Sequence, residues 1–218
     1  MAELTAATED YLKYIWSATE WSNEPVKTSR LAKDMGLSPS TVSESVSRLA
    51  KEGLVEHEKY HAIRLTPEGS RHALAVVRAH RLIETFLHDR LGYSWDEIHT
   101  EADALEHAAS ARFIDAIDTL LGHPEYDPHG DPIPDAEGKL PVRRAIKLGD
   151  AEDGTVTVLR VDDSDPEGLR AASQLGLRPG QTATIAGNTM TVARKNALVA
   201  PFINIVWVTD NRPAGSLD

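Results

Sequence analysis

The sequence predicts a mainly α protein with a small β domain, and three regions of the chain support this prediction. The first 75 residues or so contain helical patterns followed by two short strand-like runs, the order found in a winged helix-turn-helix. Long helical patterns without internal proline continue to about residue 121. From about residue 150, alternating apolar and polar residues predict a small β-barrel. We place the domains at 1–74, 75–145 and 146–218.

Composition limits the possible function classes. The chain has 218 residues, is 41% hydrophobic and contains no cysteine, which excludes disulfides, thiolate metal sites and thiol catalysis. It has no apolar run long enough to span a bilayer and no signal sequence, so we expect a cytoplasmic protein without membrane contact. The net charge of −11 argues against non-specific nucleic-acid binding, but it is compatible with a local DNA-binding patch and with bound cations.

The N-terminal domain begins with three predicted helices. They cover residues 6–20, 28–35 and 39–52. Gly36 is expected to end the second helix, because glycine adopts the left-handed conformation at low cost. Ser38 is a favourable N-cap for the third helix, and Pro39 follows at the first helical position, where its missing N–H is not needed. Two helices joined by this short turn predict a helix-turn-helix.

The wing of this domain is predicted from two strand-like runs, 54–57 and 62–65, with residues 58–61 connecting them as a hairpin. The third helix presents small hydroxyl groups and one arginine, which can reach phosphates and base edges in a major groove. The candidate DNA-binding residues are Thr28, Ser38, Pro39, Ser40, Thr41, Ser43, Glu44, Arg48 and His61. A winged helix that contacts protein instead remains an alternative, since a fold does not fix function.

The middle of the chain contains possible metal ligands on two helices. Residues 95–121 lack proline and internal glycine and predict one continuous helix. Within roughly 100° of its circumference fall four nitrogen and oxygen donors, namely His99, Asp103, Glu106 and His107. On the preceding helix, over 67–91, His80 and Glu84 share a face. Such donors can bind a divalent metal, although a solvated acidic face is the alternative.

Several ordered motifs together resemble one family. They are Thr8-Glu9-Asp10-Tyr11-Leu12, the Ser-Pro-Ser-Thr-Val-Ser start at Ser38, Ala79-His80-Arg81-Leu82 followed by Glu84, Glu106-His107, and Gly130-Asp131-Pro132-Ile133-Pro134. Over nearly its whole length the chain resembles the DtxR/MntR family, the metal-activated, diphtheria-toxin-repressor-like transcriptional repressors of bacteria. The resemblance implies a winged helix, a helical metal-binding and dimerisation domain, and an SH3-like C-terminal β-barrel.

The resemblance also implies two metal sites per subunit. One would comprise Asp10, Asp103, Glu106 and His107, and the other His80, Glu84 and His99. The C-terminal domain of the family often adds a carboxylate or amide to the second site. Asp165 and Glu167 are the candidates here. Asp10 would couple metal binding to the DNA-binding domain, because most of the other ligands lie outside that domain.

The expected metal is Mn²⁺, with Fe²⁺ as the alternative. Iron-responsive members of the family carry Met where this chain has Asp10, and Cys where it has Asp103. Hard carboxylate oxygens suit Mn²⁺ better than soft sulfur does. Some manganese-responsive members carry Glu at the position of Lys13, so this chain departs from their pattern there.

The resemblance implies a homodimer on a pseudo-palindromic duplex operator, with no small organic ligand. Surplus apolar residues either form the dimer interface or complete the core, namely Leu91, Ile114, Ile117 and Leu121. We expect no enzymatic activity. The rival is a carboxylate-bridged dimetal enzyme, but such enzymes place Glu-x-x-His on helices. Here that spacing occurs from Glu58 to His61, in the predicted wing.

Overall fold

The computed structural model describes residues 4–22, 24–57 and 62–212. The chain forms two compact units. The first comprises the chain up to His80 together with Pro134–Lys139, and the second comprises Arg81–Ile133 and the chain from Leu140 onward. Among the described residues no helix combines the length and the hydropathy needed to cross a bilayer.

The first unit contains the predicted winged helix. Its elements are α1 (Ala6–Glu20), α2 (Thr28–Asp34), α3 (Pro39–Lys51), β1 (Val55–Glu56) and β2 (Arg64–Leu65), followed by the start of α4 (Pro67–Leu91). Strands β1 and β2 pair antiparallel, and Val26 forms an additional antiparallel bridge with Ile63. The residues between the strands, 58–61, lie outside the described part of the chain, and the predicted DNA contact His61 lies with them.

Local sequence signals account for the boundaries of these helices. The side chain of Ser38 accepts a hydrogen bond from the backbone N–H of Thr41, and Pro39 begins α3. Gly36 has a φ of +65°, which explains why a glycine separates α2 from α3. The apolar faces of α1 and α3 meet in a common core that includes fully buried Leu12 and Val46. Burial of these faces stabilises the three short helices more than their propensity alone would.

The second unit combines helices with a six-stranded antiparallel sheet. Its helices are the remainder of α4, then α5 (Ile98–Leu105), α6 (Ala111–Leu121) and α7 (Pro166–Leu175). Its strands are β3 (Ile146–Lys147), β4 (Gly154–Val161), β5 (Thr182–Ala186), β6 (Thr189–Val192), β7 (Lys195–Leu198) and β8 (Val206–Val208). The strand order is β3-β8-β4-β5-β6-β7. This architecture confirms the predicted fold class, a mainly α chain with a C-terminal β domain.

Alternation along the sheet explains how it forms a core. Ala183 and Ile185 of β5 are buried, as are Met190 and Val192 of β6, while the intervening threonines are exposed. Two short strands, β3 and β7, were not predicted from the sequence. Strand β8 begins at Val206, because a 3₁₀ turn at Ala200–Phe202 and a further turn precede it.

The prediction of one continuous helix over 95–121 is wrong. Helix α5 ends at Leu105, and α6 begins at Ala111. The side chain of Ser110 accepts a hydrogen bond from the N–H of Phe113, so this serine starts a new helix instead of continuing the old one. As a result, Glu106 and His107 lie in the turn after α5 and do not share one helical face with His99.

The surplus apolar residues that could form either a dimer interface or the core differ in their burial. Ile114 and Ile117 are buried within the second unit, so they complete its core. In contrast, Leu91 is 56% exposed, and Leu121 is intermediate in exposure. Two further apolar residues of α6, Phe113 and Leu120, are 51% and 57% exposed.

Candidate metal centre

Three acidic or imidazole side chains meet in the second unit. Glu84 extends from α4, His99 from the first turn of α5, and Asp163 from the loop that follows β4. His99 Nδ1 lies 3.4 Å from Glu84 Oε1 and 3.0 Å from Asp163 Oδ2. The side chain of Glu84 is only 1% exposed, and that of Asp163 is 19% exposed. The histidine therefore lies between two carboxylates that are largely removed from water.

The two carboxylates control the protonation of His99. Burial of the ring favours its neutral form, but hydrogen bonds with Asp163 and Glu84 outweigh burial and raise the pKa of His99 to about 11. Burial would likewise raise the pKa of Asp163, yet His99 and the nearby charges hold this pKa well below its usual range. At neutral pH the metal-free cluster thus contains an imidazolium that offsets the negative charge.

A second histidine of this cluster, His129, was not predicted from the sequence. It is fully buried, and its Nε2 lies 2.9 Å from the main-chain oxygen of Trp95. The carbonyl can only accept, so Nε2 donates its proton, and in the neutral ring the lone pair is on Nδ1. Within the described residues His129 Nδ1 has no hydrogen-bond partner. This atom faces Glu84 Oε1 at 4.0 Å and Asp163 Oδ2 at 3.9 Å.

Asp127 adds a further carboxylate to the same region. Ligand atoms of Glu84, Asp127 and His129 lie within 4.8 Å of one another, and all three residues are buried. Asp127 Oδ1 accepts hydrogen bonds from the backbone N–H groups of His129 and Asp131, each at 2.9 Å. Burial, followed by the charges of Asp131 and Glu84, raises the pKa of Asp127 well above its ordinary value. The carboxylates repel one another, and a cation would relieve that repulsion.

The chemistry of this donor set fits a divalent ion. Carboxylate oxygens and imidazole nitrogens, without sulfur, suit ions such as Mn²⁺. In metal sites the second ring nitrogen of a histidine ligand usually donates to a carbonyl or carboxylate, which fixes the ring and its tautomer. The hydrogen bond from His129 to Trp95 is of that kind. The orphaned Nδ1 therefore supports a metal site at Glu84, His99, Asp127, His129 and Asp163, which we call the buried cluster.

The loop that carries Asp127 and His129 is anchored on strand β4. Arg160 Nε lies 2.6 Å from Asp131 Oδ1, and the N–H of Val161 donates to the carbonyl of His129 at 2.9 Å. A Cβ at Gly130, whose φ is +93°, would lie 2.0 Å from the carbonyl oxygen of Leu159, so only glycine permits this approach. The sequence signal was present in the Gly130–Pro134 turn, but its preceding histidine was not recognised as a possible ligand.

The predicted C-terminal ligands, Asp165 and Glu167, lie at the start of α7. Asp165 is the N-cap of α7, and its Oδ1 accepts a hydrogen bond from the backbone N–H of Glu167. Both residues are exposed. The structure instead brings Asp163, two residues earlier, to His99. A carboxylate from this loop was expected from the resemblance, but the sequence did not show which one.

The other predicted site draws its residues from both units. Asp10 belongs to α1 in the first unit, whereas Asp103, Glu106 and His107 belong to the second, so their joint coordination of a metal stays a prediction. Within the second unit, Glu106 Oε1 lies 3.3 Å from His107 Nε2. The exposed Asp103 has its Oδ2 3.5 Å from His99 Nε2.

The remaining predicted ligand, His80, is buried in the first unit. It is 4% exposed and lies one turn before Glu84 on α4. Its Nδ1 lies 3.0 Å from Nζ of Lys13, a half-buried residue of α1. No local signal in the sequence indicates this contact, since Lys13 and His80 are 67 residues apart.

The candidate DNA-binding residues mostly form an exposed surface on α3. Those exposed to solvent are Ser38, Pro39, Ser40, Thr41, Ser43, Glu44 and Arg48. Thr28, the first residue of α2, is half-buried. Arg48 Nη1 lies 3.2 Å from Glu52 Oε1 and donates to the hydroxyl of Thr8 at 3.3 Å, so its side chain also contacts its own domain.

Comparisons with known proteins agree with this architecture. Residues 3–63 match the family model "Iron dependent repressor, N-terminal DNA binding domain", and residues 66–135 match "Iron dependent repressor, metal binding and dimerisation domain". The iron-dependent repressor IdeR of Mycobacterium tuberculosis is 37% identical over 134 residues, which are 62% of this chain. The matched segment spans 58% of that repressor's length.

Two further relatives match over more of their length. The diphtheria toxin repressor of Corynebacterium efficiens is 32% identical over 197 residues, which cover 85% of each protein. A solved structure of a manganese-dependent transcriptional repressor in complex with manganese is 42% identical, with a TM-score of 0.87. That comparison covers 93% of this chain and 99% of the other.

Proposed function

The chain belongs to the iron-dependent repressor family, which includes the diphtheria toxin repressor, and from this membership we propose that it is a Mn²⁺-activated, DNA-binding repressor of transcription. The observation that carries the proposal is the buried cluster, in which His129 Nδ1 faces Glu84 and Asp163 without a hydrogen-bond partner among the described residues. Fe²⁺ is the alternative activating metal, because the relatives include iron-dependent repressors.

The buried cluster would hold the metal through side chains from separate segments. Glu84 comes from α4, Asp127 and His129 from the loop before the sheet, and Asp163 from the loop after β4. The ion would supply positive charge to carboxylates that otherwise repel one another, and it would connect these segments. His99 lies between Glu84 and Asp163, and it either joins the ligands after losing its proton or remains an adjacent hydrogen-bonding group.

The preference for Mn²⁺ follows from the type of donor. Each carboxylate and imidazole of the cluster offers oxygen or nitrogen, and the chain has no cysteine to favour softer metals. The similarity to a manganese-dependent repressor supports the same conclusion. We further propose a second site at Asp10, Asp103, Glu106 and His107, in which Asp10 would link the metal to α1 of the DNA-binding domain.

DNA binding is assigned to the exposed face of α3. Its hydroxyl-bearing residues Ser40, Thr41 and Ser43, with Arg48 at the far end, suit phosphates and base edges of a duplex. The match to a dimerisation domain supports a homodimer. Exposed Leu91, Phe113 and Leu120 offer apolar surface for a second copy. A dimer places two recognition helices on a pseudo-palindromic operator whose half-sites lie about one helical turn or a multiple apart.

The test measures DNA affinity at controlled free metal concentrations. A pool of random duplexes is first selected for retention by the protein in Mn²⁺, and the enriched duplex is then titrated by fluorescence anisotropy. The series uses matched free Mn²⁺, Fe²⁺, Co²⁺ and a chelator. We expect tight binding in Mn²⁺ that is lost with the chelator and in Glu84→Gln.

The DNA-binding titration has one control variant and two outcomes that would contradict the proposal. His123→Gln changes a histidine whose side chain is 71% exposed and should bind DNA like the unaltered protein. DNA binding only in Fe²⁺ would replace Mn²⁺ by the alternative metal. DNA binding unchanged by the chelator would remove metal activation from the proposal.

A further inference from the structure

We infer that the buried cluster holds two divalent ions in each protomer, one beside His99 and one beside His129, with the carboxylates of Glu84 and Asp163 shared between them. This inference rests on the proposed function, since it concerns metal binding by the same cluster. It goes further by assigning a carboxylate-bridged pair of ions to the place where the proposed function requires only one.

Two carboxylate oxygens of the cluster each face two imidazole nitrogens. His99 Nδ1 lies 3.4 Å from Glu84 Oε1 and 3.0 Å from Asp163 Oδ2. His129 Nδ1 lies 4.0 Å and 3.9 Å from the same two oxygens. A carboxylate placed between two imidazoles in this way can bridge two metal ions, as carboxylates do in paired metal centres built on helices.

The distances between these donors suit ligands of a common ion. Divalent ions bind nitrogen and oxygen at about 2.0–2.6 Å, so two ligands of one ion lie about 3–3.5 Å apart when adjacent and about 4–5 Å apart when opposite. The distances from His99 Nδ1 correspond to adjacent ligands, and those from His129 Nδ1 correspond to more widely separated ones. Each imidazole can therefore share an ion with the two carboxylates.

The donors form two groups that have Glu84 in common. Ligand atoms of Glu84, His99 and Asp163 lie within 4.8 Å of one another, and so do those of Glu84, Asp127 and His129. Among the residues that the structure describes, neither group contains both histidines. One ion that used both imidazoles would have to draw on both groups, whereas two ions use each group as it stands.

The charge of the cluster also favours two ions. Four carboxylates lie around the two imidazoles, namely Glu84, Asp103, Asp127 and Asp163. Ligand histidines are neutral and ligand carboxylates are ionised, so two divalent ions match this charge and one ion neutralises only half of it. The positive charges of Arg81 and Arg160 do not alter the balance. Asp131 lies 3.7 Å from the first arginine, and Asp162 lies 3.6 Å from the second.

The first measurement counts bound Mn²⁺ by equilibrium dialysis of the full chain and its variants. His99→Gln and His129→Gln should each lose one Mn²⁺ per protomer, and the double variant should lose two, because each ion has one histidine of its own. His123→Gln should bind as much Mn²⁺ as the unaltered chain, since its side chain is 71% exposed. Circular dichroism checks that each variant is folded. Any Mn²⁺ bound outside the cluster cancels in these differences.

The second measurement needs no variant and records the EPR spectrum of bound Mn²⁺ in the unaltered chain. Two ions in a carboxylate-bridged centre lie about 3.5–4 Å apart. At this distance their unpaired electrons interact, so the Mn²⁺-saturated chain should give a broadened spectrum unlike that of isolated ions. Loading with a mixture of Mn²⁺ and excess diamagnetic Zn²⁺ should restore the isolated-ion spectrum, because few protomers then hold two Mn²⁺. Both single histidine variants should also show isolated Mn²⁺.

The outcomes separate this inference from the proposed function. An isolated-ion spectrum at saturating Mn²⁺ overturns the pair of ions, as does a double variant that loses no more Mn²⁺ than either single variant. The proposed function survives both of these results, because one ion per cluster suffices for it. A coupled spectrum in a chain whose DNA binding ignores the chelator would instead support the pair and contradict metal activation. Absence of all Mn²⁺ binding would overturn both.

Discussion

His129 donates from Nε2 to the main-chain oxygen of Trp95 at 2.9 Å, and this one hydrogen bond orients its other ring nitrogen towards Glu84 and Asp163. The indole of Trp95 also contacts the imidazole, with ring centroids 5.1 Å apart. The acceptor is a backbone atom, so the tautomer of His129 depends on the fold and not on another titratable side chain. A buried histidine prepared in this way is suited to bind a metal through Nδ1.

Replacing His129 by glutamine should weaken Mn²⁺ binding by at least about tenfold, because the variant loses an oriented nitrogen ligand. Isothermal titration with Mn²⁺ measures the effect, and circular dichroism checks that the variant is folded. His123→Gln is the matched control, since His123 lies on the surface with its side chain 71% exposed. Equal Mn²⁺ affinity in both variants would show that His129 is not a ligand.

The C-terminal ligand can be assigned by two substitutions of the same type. Asp163→Asn should lower Mn²⁺ affinity, because it removes the charge of the carboxylate that lies 3.0 Å from His99. Asp165→Asn should leave Mn²⁺ affinity unchanged, and α7 should stay intact, since asparagine caps helices as well as aspartate does. A larger loss for Asp165→Asn than for Asp163→Asn would restore the prediction made from the sequence.

The ion pair that anchors the loop carrying Asp127 and His129 should contribute strongly to folding. Arg160 and Asp131 have side chains that are 8% and 5% exposed, and the guanidinium also covers the ring of Trp207 at 4.3 Å. Asp131→Asn should reduce the free energy of unfolding by about 3 kcal/mol, because it removes the nearest carboxylate from a buried guanidinium whose other carboxylate, Asp162, lies 3.6 Å away. Urea unfolding of metal-free protein measures this change.

A double variant distinguishes an ion-pair effect from a packing effect. Asp131→Asn combined with Arg160→Met should cost less than the two single changes added together, because the second change removes the buried charge whose nearest carboxylate the first change has neutralised. Arg212→Met, which alters a pair with Asp210 whose side chains are 28% and 18% exposed, should change stability much less. Strict additivity of the two buried changes would argue against the pair as the source of the stabilisation.

The metal-free protein should lose stability as pH rises above neutrality. Hydrogen bonds to Asp163 and Glu84 outweigh burial and raise the folded-state pKa of His99 to about 11, from its ordinary value of 6.5. Between these values the folded state binds more protons than the unfolded chain, so the free energy of unfolding falls with rising pH. The contribution is fully present below about pH 6.5, the unfolded value, and is lost as pH passes the folded value.

Unfolding of the chelator-treated protein across this pH range tests the effect of His99. His99→Gln should flatten the pH dependence, whereas His88→Gln, which alters a surface histidine paired with Asp89, should not. An unchanged slope in His99→Gln would indicate that other groups cause the pH dependence.

The amino-acid sequence by itself determined most of the local structure. Ser38 and Pro39 begin α3, and Gly36 follows the end of α2. Alternating Val and Thr residues define β4, the longest strand. These signals act within a few residues, through backbone hydrogen bonds and the spacing of apolar side chains. The ordered motifs likewise sufficed to indicate the family, and the family models and relatives confirm it.

Only the tertiary structure decided which candidate ligands meet. Glu84, His129 and Asp163 are far apart in the sequence, and they approach because the close packing of Gly130 on Leu159 brings one loop to strand β4. The break at Ser110 between α5 and α6 was missed because the local sequence favours a helix on both sides, and one serine hydroxyl decides the boundary. Contacts such as Lys13 with His80 depend on the packing of distant helices, so no local signal in the chain predicts them.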